Sequence, residues 1–159
     1  MFKYTLCFII YQNQVLLLNR NKNPWMGRWN GVGGKINEGE DKFSAIKREI
    51  IEETQINPDN LDLKYRGIVT WNEPTGEILG LHLFVGFLNE PLSFKVPLKT
   101  REGILDLKPI EWVSDFKNLG LVDNIPYFFP RILQDDKLYQ YHCHFENELM
   151  QSVEIKLLT

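Results

Sequence analysis

The feature that most constrains this chain is a glycine-rich stretch that leads directly into an acidic, helix-forming segment. Residues 31–56 read GVGGKINEGEDKFSAIKREIIEETQI. Good helix formers follow the glycines, and apolar residues recur at helical spacing at Phe43, Ile46 and Ile50. The pattern predicts a helix from Asp41 to about Thr54, ended by the residues NPDN at 57–60.

Three carboxylates share one face of this predicted helix, because Glu49, Glu52 and Glu53 stand at spacings i, i+3 and i+4. Like charges so close repel by roughly 0.2–0.5 kcal/mol a pair on an isolated helix. Acidic helix faces are usually just solvated. Here, however, bare glycine backbone lies directly upstream, where it can approach a phosphate, and Glu40 lies in the same turn. Oxygen ligands suit Mg²⁺ or Mn²⁺, so the pattern favours a divalent-cation site beside a phosphate.

The rest of the chain predicts a mixed sheet and one further helix, an α+β fold. Strands are predicted at 3–11, 15–20, 61–71, 78–88 and 111–114, a loop at 21–30, a helix at 125–135, and a closing hairpin from 138–145 and 152–158. No repeat or Pro/Gly/Ser-rich linker divides the chain, so we expect one domain spanning residues 1–159.

Charge and composition exclude several classes of protein. The formal net charge is −3, which argues against coating duplex DNA or an anionic membrane. It does not exclude a single nucleotide whose charge a metal offsets. Cys7 and Cys143 give neither a disulfide framework nor zinc spacing, so both are expected to be reduced and internal. The N-terminus lacks a signal cleavage site and the apolar runs are short, which predicts a cytoplasmic protein.

The acidic segment resembles the Nudix box, which reads G, five residues, E, seven residues, R-E-(apolar)-x-E-E-x-G-(apolar). The matching residues here are Gly34, Glu40, Arg48, Glu49, Ile50, Glu52, Glu53 and Ile56. Gln55 stands where the family has glycine. That substitution bears on the backbone of the loop after the helix and removes no ligand.

The resemblance extends over nearly the whole chain, although residues 89–110 align poorly. YTL at 4–6, GRWNGVGGK at 27–35 and YFFPRILQ at 127–134 resemble the MutT-like branch, the 8-oxo-dGTP diphosphatases. This resemblance implies an α/β/α sandwich around a mixed β-sheet. It also implies a Mg²⁺-dependent hydrolase, with Mn²⁺ as a possible substitute, that converts a nucleoside triphosphate to the monophosphate and pyrophosphate.

The resemblance also assigns catalytic and metal-binding roles. It implies Glu49, Glu52 and Glu53 as metal ligands, with the Gly33 carbonyl beside them. Glu40 would support the loop or the outer metal shell, and Arg48 would orient a carboxylate. Glu102 is a candidate general base, with Glu49 or Glu53 as alternatives.

The substrate-binding residues implied by the resemblance are Thr5, Arg20, Asn30, Gly33, Gly34, Lys35, Asp123 and Asn124. Asn30 can pair with a purine edge as donor and acceptor. Asp123 and Asn124 resemble an acidic pair that reads the oxidised base, with Asn replacing one acid. Some relatives have an aromatic residue before this pair, where Leu121 stands here. Base stacking would then fall to Trp25, Trp71 or Phe128, although each is more readily explained as core.

Two other readings stay open at this point. The box binds diphosphate and metal only, so a hydrolase of ADP-ribose or a dinucleotide is the main alternative. A non-catalytic nucleotide sensor is the second, against which all acidic positions of the box are present. His142 and His144 should share one strand face opposite Cys143, without a third metal ligand, and His82 should serve packing.

Overall fold

A computed structural model describes residues 2–158, so the first and last residues of the predicted 1–159 domain lie outside it. The strands are β1 Tyr4–Tyr11, β2 Gln14–Arg20, β3 Trp29–Asn30, β4 Leu61–Asn72, β5 Ile78–Leu88, β6 Leu98–Lys99, β7 Gly103–Pro109, β8 Tyr139–Glu146 and β9 Leu149–Leu157. The helices are α1 Lys42–Thr54, α2 Ile110–Val113 and α3 Ile125–Gln134, and Pro58–Asn60 forms a 3₁₀ turn.

The described strands form one mixed sheet. Its order is β6-β7-β2-β1-β5-β4-β8-β9, with β3 paired to β2. β1 runs parallel to β5 and β4 runs parallel to β8, whereas the other pairs are antiparallel. The sequence prediction of a mixed sheet is confirmed.

Apolar residues cover both faces of this sheet, because the central strands alternate two buried sets. Leu6 and Phe8 of β1 face the core under α3, whereas Cys7 and Ile9 face the core under α1. The helices therefore lie on opposite faces, as the α/β/α sandwich requires. Such continuous apolar runs are expected of strands buried on both sides.

Helix α1 begins and ends where the sequence predicts. The Asp41 side chain caps it by accepting a hydrogen bond from the Ser44 N–H at 2.9 Å. The helix ends at Gln55, which adopts the left-handed conformation with φ 63° and ψ 8°. The glycine loop before α1 is fixed to β1, since Cys7 and Val32 exchange backbone hydrogen bonds.

Residues 111–114 are predicted to be a strand, but residues 111–113 belong to the short helix α2 and Ser114 is its C-cap. Pro109 ends β7, and the Ser114 N–H and hydroxyl both donate to the Ile110 carbonyl and close a helical turn. The preceding stretch holds strands that the sequence analysis missed, β6 and β7. β7 pairs with β2 over its full length, from Gln14↔Pro109 to Arg20↔Gly103.

The remaining predictions concern the cysteines and membrane segments. Cys7 and Cys143 are free and buried, as predicted. Burial raises the pKa of the Cys143 thiol to about 11. Among residues 2–158, no helix combines the length and apolar character needed to cross a membrane.

Candidate active site

Arg48 ties the loop before α1 to the acidic face of the helix. Its guanidinium donates to both oxygens of Glu40, each at 2.9 Å, and to Glu49 at 2.9 Å. It also donates to the Lys35 carbonyl at 2.9 Å, and its contact with Glu52 is longer, at 3.5 Å. The hydrogen bond from Arg48 is the main reason that the pKa of Glu40 lies below its usual value. Arg48 therefore orients carboxylates, beyond the surface i,i+4 pair that Glu52 alone would give.

Glu53 lies where four separate segments meet. The Gly33 N–H donates to its carboxylate at 3.4 Å. Burial, followed by the charge of Glu49, raises the pKa of Glu53 to about 8. The Glu102 charge adds to this rise, whereas the Gly33 hydrogen bond and Arg20 oppose it. Two predicted residues from distant segments, Glu102 and Arg20, are therefore close enough to Glu53 to influence its proton.

Close packing explains two glycines of the loop. A Cβ on Gly34 would clash with the Glu49 carboxylate, and a Cβ on Gly33 would clash with the Thr5 backbone. The Thr5 hydroxyl donates to the Gly34 carbonyl at 3.2 Å, so Thr5 holds the loop against β1. Glycine is thus required at position 33 because the loop runs directly against the β1 backbone, and Gly34 lies directly against the Glu49 carboxylate.

The donor set fits a hard divalent cation. Glu49 and Glu53 are neighbouring acids at the floor of the site, and exposed Glu52 lies on the same helix face. Carboxylate oxygens and glycine backbone are ligands that Mg²⁺ and Mn²⁺ accept. Within the described chain, however, no three His, Cys, Asp or Glu side chains are placed so that they could hold a metal ion together. Arg48 instead contacts Glu49 and Glu52, as expected where like charges need a counterion.

A second part of the site lies where β3 meets the segment before α3. The Trp29 N–H donates to the Gly120 carbonyl at 2.7 Å, and the Val122 N–H donates to the Trp29 carbonyl at 3.1 Å. Asn30 and Asp123 each follow this bridge by one residue. Two predicted residues 93 positions apart in sequence, Asn30 of β3 and Asp123 of the turn before α3, thus each adjoin a residue of this backbone bridge.

Asp123 carries an acceptor without a partner. Its Oδ1 is buried and accepts no hydrogen bond from the described residues. Buried polar atoms are nearly always paired, so this oxygen is available to a ligand. The Asn30 side-chain oxygen accepts from the Gly31 N–H at 2.8 Å, and the Asn124 amide donates to the Cys143 sulfur at 3.8 Å.

Sequence reasoning missed two contacts that hold this part together. Arg28 donates to the Leu121 carbonyl at 2.7 Å. Lys108 lies over the Trp29 ring, 4.5 Å from its centroid, and 5.3 Å from that of Trp112. Only the GRWNG match could have drawn attention to Arg28, because its partner is a backbone atom in a remote segment.

Other predicted residues have contacts that define their surroundings. Arg20 donates to the Pro24 carbonyl at 2.8 Å, Glu102 lies 3.5 Å from Lys22, and the Lys35 side chain is exposed. Phe128 is a core residue, 1% exposed, whose ring meets that of Phe8 edge to face. Trp25 and Trp71 are half-buried at the edge of the same core.

The histidines lie on the sheet. His142 and His144 share a face, with ring centroids 4.8 Å apart, while Cys143 is buried on the other. Both nitrogens of His142 are engaged, by Thr70 and Asn72, each at 2.7 Å. His82 pairs with the Tyr65 hydroxyl at 2.9 Å, consistent with packing.

An open depression of about 420 Å³ lies on another side of α1. It is lined by Phe43, Lys47, Pro58, Asp59, Leu61, Asp62 and Leu63. None of the predicted site residues lines it.

Comparisons with known proteins identify the family of this chain. The family model described as NUDIX domain matches residues 1–114. The chain is 36% identical over 149 residues to the oxidized purine nucleoside triphosphate hydrolase of Mus musculus, covering 91% of this chain and 87% of that protein. The mutator MutT protein of Bacillus halodurans aligns with a TM-score of 0.77 at 26% identity, covering 98% of this chain and 97% of that one.

A further solved structure shares the fold alone. The NUDIX domain of Shewanella oneidensis NrtR, in complex with ADP ribose, aligns with a TM-score of 0.61 at 17% identity, covering 84% of this chain and 85% of that one. Together, the matched domain, the mouse relative and the complete acidic box show that this chain belongs to the Nudix family and is a Nudix hydrolase.

Proposed function

We propose that this Nudix hydrolase is a Mg²⁺-dependent nucleoside triphosphate diphosphatase for oxidised purine nucleotides such as 8-oxo-dGTP. The products are the nucleoside monophosphate and pyrophosphate. The observation that carries the proposal is the course of residues 30–33. Asn30 follows Trp29, which is hydrogen-bonded to Val122, the residue before Asp123. At the other end, the Gly33 N–H donates to the Glu53 carboxylate. At about 3.3 Å per extended residue, roughly 10 Å separates a base-reading end from a phosphate end, a span suited to one nucleotide.

The acidic end would bind the cation and the phosphates. Glu49, Glu52 and Glu53 would hold Mg²⁺, with Mn²⁺ as a substitute, and the Gly33 carbonyl lies beside them. When bound, the cation would offset the charge of carboxylates and phosphates and make water more acidic. Arg48 keeps Glu49 in place by donating to it at 2.9 Å, and Glu40 keeps Arg48 in place. Arg20 and Lys35 supply positive charge toward the triphosphate.

Glu102 is our candidate for the general base. It accepts a proton from water as the water oxygen bonds to the α-phosphorus. The bond between the α- and β-phosphates then breaks, and its electron pair leaves with pyrophosphate. The support for this role is the position of Glu102. Its charge contributes to the raised pKa of Glu53, so Glu102 lies near the acidic face of α1, in the loop before β7. The Lys22 ammonium lies 3.5 Å from the Glu102 carboxylate.

The other end would select the base. The unpartnered Oδ1 of Asp123 can accept a hydrogen bond from a purine edge, and Asn30 offers an amide group. Thr5 holds the connecting loop, and Asn124 borders the same segment. Similarity to the mouse oxidized purine nucleoside triphosphate hydrolase over 91% of the chain supports this substrate class.

The test is a substrate panel assayed with Mg²⁺ and with EDTA. It contains 8-oxo-dGTP, dGTP, a pyrimidine triphosphate and ADP-ribose, and it measures monophosphate and pyrophosphate separately. We expect the highest kcat/KM for 8-oxo-dGTP with equimolar products. A preference for ADP-ribose would overturn the substrate class, and binding without any turnover would indicate a sensor.

A further inference from the structure

The two edges of the sheet differ in length. One edge is β6, which has 2 residues, and the other is β9, which has 9. Within residues 2–158, β9 pairs with β8 alone. Proteins commonly shorten or cover their edge strands, because an open edge is a template for pairing with another chain. The β6 edge is protected in this way by its length.

Among the described residues, β9 has backbone groups at alternate positions that form no hydrogen bond with β8. The Leu158 N–H donates to the Leu138 carbonyl of the β8 segment at 2.8 Å. Backbone direction alternates along an antiparallel strand, so Lys156 and Glu154 also point toward β8. The N–H and C=O groups of Val153, Ile155 and Leu157 therefore point outward from the sheet.

The side chains of these outward residues form an apolar stripe. Val153, Ile155 and Leu157 pair across the ladder with Cys143, Tyr141 and Tyr139. They thus lie on the face of the sheet that carries the core under α3. Ile155 is 38% exposed and Leu157 is 46% exposed, so apolar surface continues from the core to the open edge.

The opposite face of β9 carries one acid and one base. Glu154 and Lys156 flank Ile155 on that face, and both are exposed. A twofold axis through Ile155 would place Glu154 of each copy opposite Lys156 of the other copy. The strand is therefore complementary to itself in charge.

We propose that β9 pairs antiparallel with β9 of a second copy of this chain, in the register that sets Ile155 opposite the second copy's Ile155. In this register Val153 lies opposite the second copy's Leu157, and outward backbone groups meet outward backbone groups. Glu154 lies opposite the second copy's Lys156 on the other face, and the reverse pair forms by symmetry. The two sheets become continuous, and their apolar faces join.

Neighbouring registers lose either the backbone hydrogen bonds or the cross-strand ion pairs. A shift of one residue sets outward backbone groups opposite groups already bonded to β8. A shift that centres the axis on Val153 keeps the hydrogen bonds but sets Glu154 opposite Ser152 and Lys156 opposite Met150. Only the register centred on Ile155 satisfies backbone, apolar stripe and charge together.

Charge reversal with rescue tests the proposal. Lys156→Glu converts both cross-strand ion pairs into acid–acid contacts, and Glu154→Lys/Lys156→Glu restores opposite charges in swapped order. Sedimentation velocity over a concentration series from low micromolar upward gives the dimer dissociation constant of each. We expect about a tenfold or larger rise for Lys156→Glu and recovery in the double variant. Lys117→Glu makes the same charge change on an exposed turn and should behave as wild type.

Amide hydrogen exchange gives a second, register-specific readout. Protection at Val153, Ile155 and Leu157 should rise with protein concentration. Glu154 and Lys156, already bonded to β8, should not change. A wild-type protein that stays monomeric into the submillimolar range would overturn the proposal. So would a dimer that Lys156→Glu leaves equally tight, or concentration-dependent protection located elsewhere.

Discussion

Arg48 and Glu40 form a two-point contact, in which Nε and Nη2 each donate to one carboxylate oxygen at 2.9 Å. Glu40 belongs to the loop that enters α1, and Arg48 lies two turns into the helix. The pair therefore fixes the angle between loop and helix. Because the same guanidinium also holds Glu49, the position of one candidate metal ligand depends on this contact.

Replacing Arg48 with lysine tests that dependence. Lysine keeps the charge but cannot reproduce the planar fork. We expect Arg48→Lys to weaken Mg²⁺ binding and lower kcat/KM by about 10–100-fold, the usual effect of losing a residue that orients a metal ligand. Metal titration and steady-state kinetics measure it, with Lys47→Arg on an exposed position of the same helix as control. Unchanged Mg²⁺ affinity would show that Arg48 serves the fold alone.

Glu53→Gln tests the acidic face directly. The change removes one charge from the site while keeping the shape of the side chain. Loss of a charged ligand could cost about 3 kcal/mol of transition-state stabilisation, or on the order of a hundredfold in turnover. Circular dichroism should show an intact fold. Near-wild-type kcat with Mg²⁺ would place the metal elsewhere.

The raised pKa of Glu53 also predicts how stability varies with pH in EDTA. The pKa rises from 4.5 to about 8 on folding, so the folded protein keeps a proton that the unfolded chain releases. The free energy of unfolding should therefore fall as pH increases from about 4.5 to about 8. Glu53→Gln has no such proton, so its melting temperature should decline less over this window. The exposed control Glu38→Gln should follow wild type, and parallel curves for all three would contradict the prediction.

A further prediction concerns Gln55, which stands where the Nudix box has glycine. Its φ of 63° is the left-handed conformation that glycine adopts without strain. A non-glycine residue there costs of order 1 kcal/mol. Gln55→Gly should accordingly raise the melting temperature by roughly 2–4 °C for a protein of this size. Gln55→Ala retains the Cβ and should show no such gain, whereas a lower melting temperature in the glycine variant would mean that the glutamine side chain stabilises the turn.

Local sequence signals predicted the acidic helix well, because its cap, apolar spacing and stop all lie within the segment itself. Asp41, the Ser44 N–H and the left-handed Gln55 needed no distant partner. β7 could not be predicted in the same way. Its alternation of Leu105 and Leu107 with Asp106 and Lys108 covers only four residues before Pro109. Asp106 and Lys108 form an ion pair of 3.5 Å, and Lys108 also lies over the Trp29 ring, which is remote in sequence.

The site likewise combines residues predicted from local spacing with contacts between segments remote in sequence. Spacing alone predicted the glutamates and Arg48 as site residues, and Arg48 contacts Glu40 and Glu49 in the structure. The bridge from Trp29 to Gly120 and Val122, and the Arg28 contact with Leu121, depend on backbone atoms. Backbone contacts leave no residue-specific pattern, so the sequence alone could not reveal how the two halves of the site are joined.

The final prediction concerns base selection by Asn30 and Asp123. Both follow the Trp29 bridge, and Asp123 holds a buried acceptor without a partner among the described residues. A pocket that pairs with a base edge loses roughly 1–3 kcal/mol for each polar group left unmatched. Asn30→Ala and Asp123→Ala should therefore lower kcat/KM for 8-oxo-dGTP by about 5–150-fold, and much less for a pyrimidine triphosphate.

Two controls separate this effect from a loss of catalysis. Mg²⁺ affinity should stay unchanged in both variants, because neither residue lies on the acidic face of α1. Asp123→Asn keeps the shape and one acceptor, so it should retain more activity toward 8-oxo-dGTP than Asp123→Ala. Asn124 replaces the second acid of the resembled pair, so we expect weaker discrimination between oxidised and normal purines than in relatives with two acids. Equal losses for every nucleotide would show that Asn30 and Asp123 hold the loop in place and do not read the base.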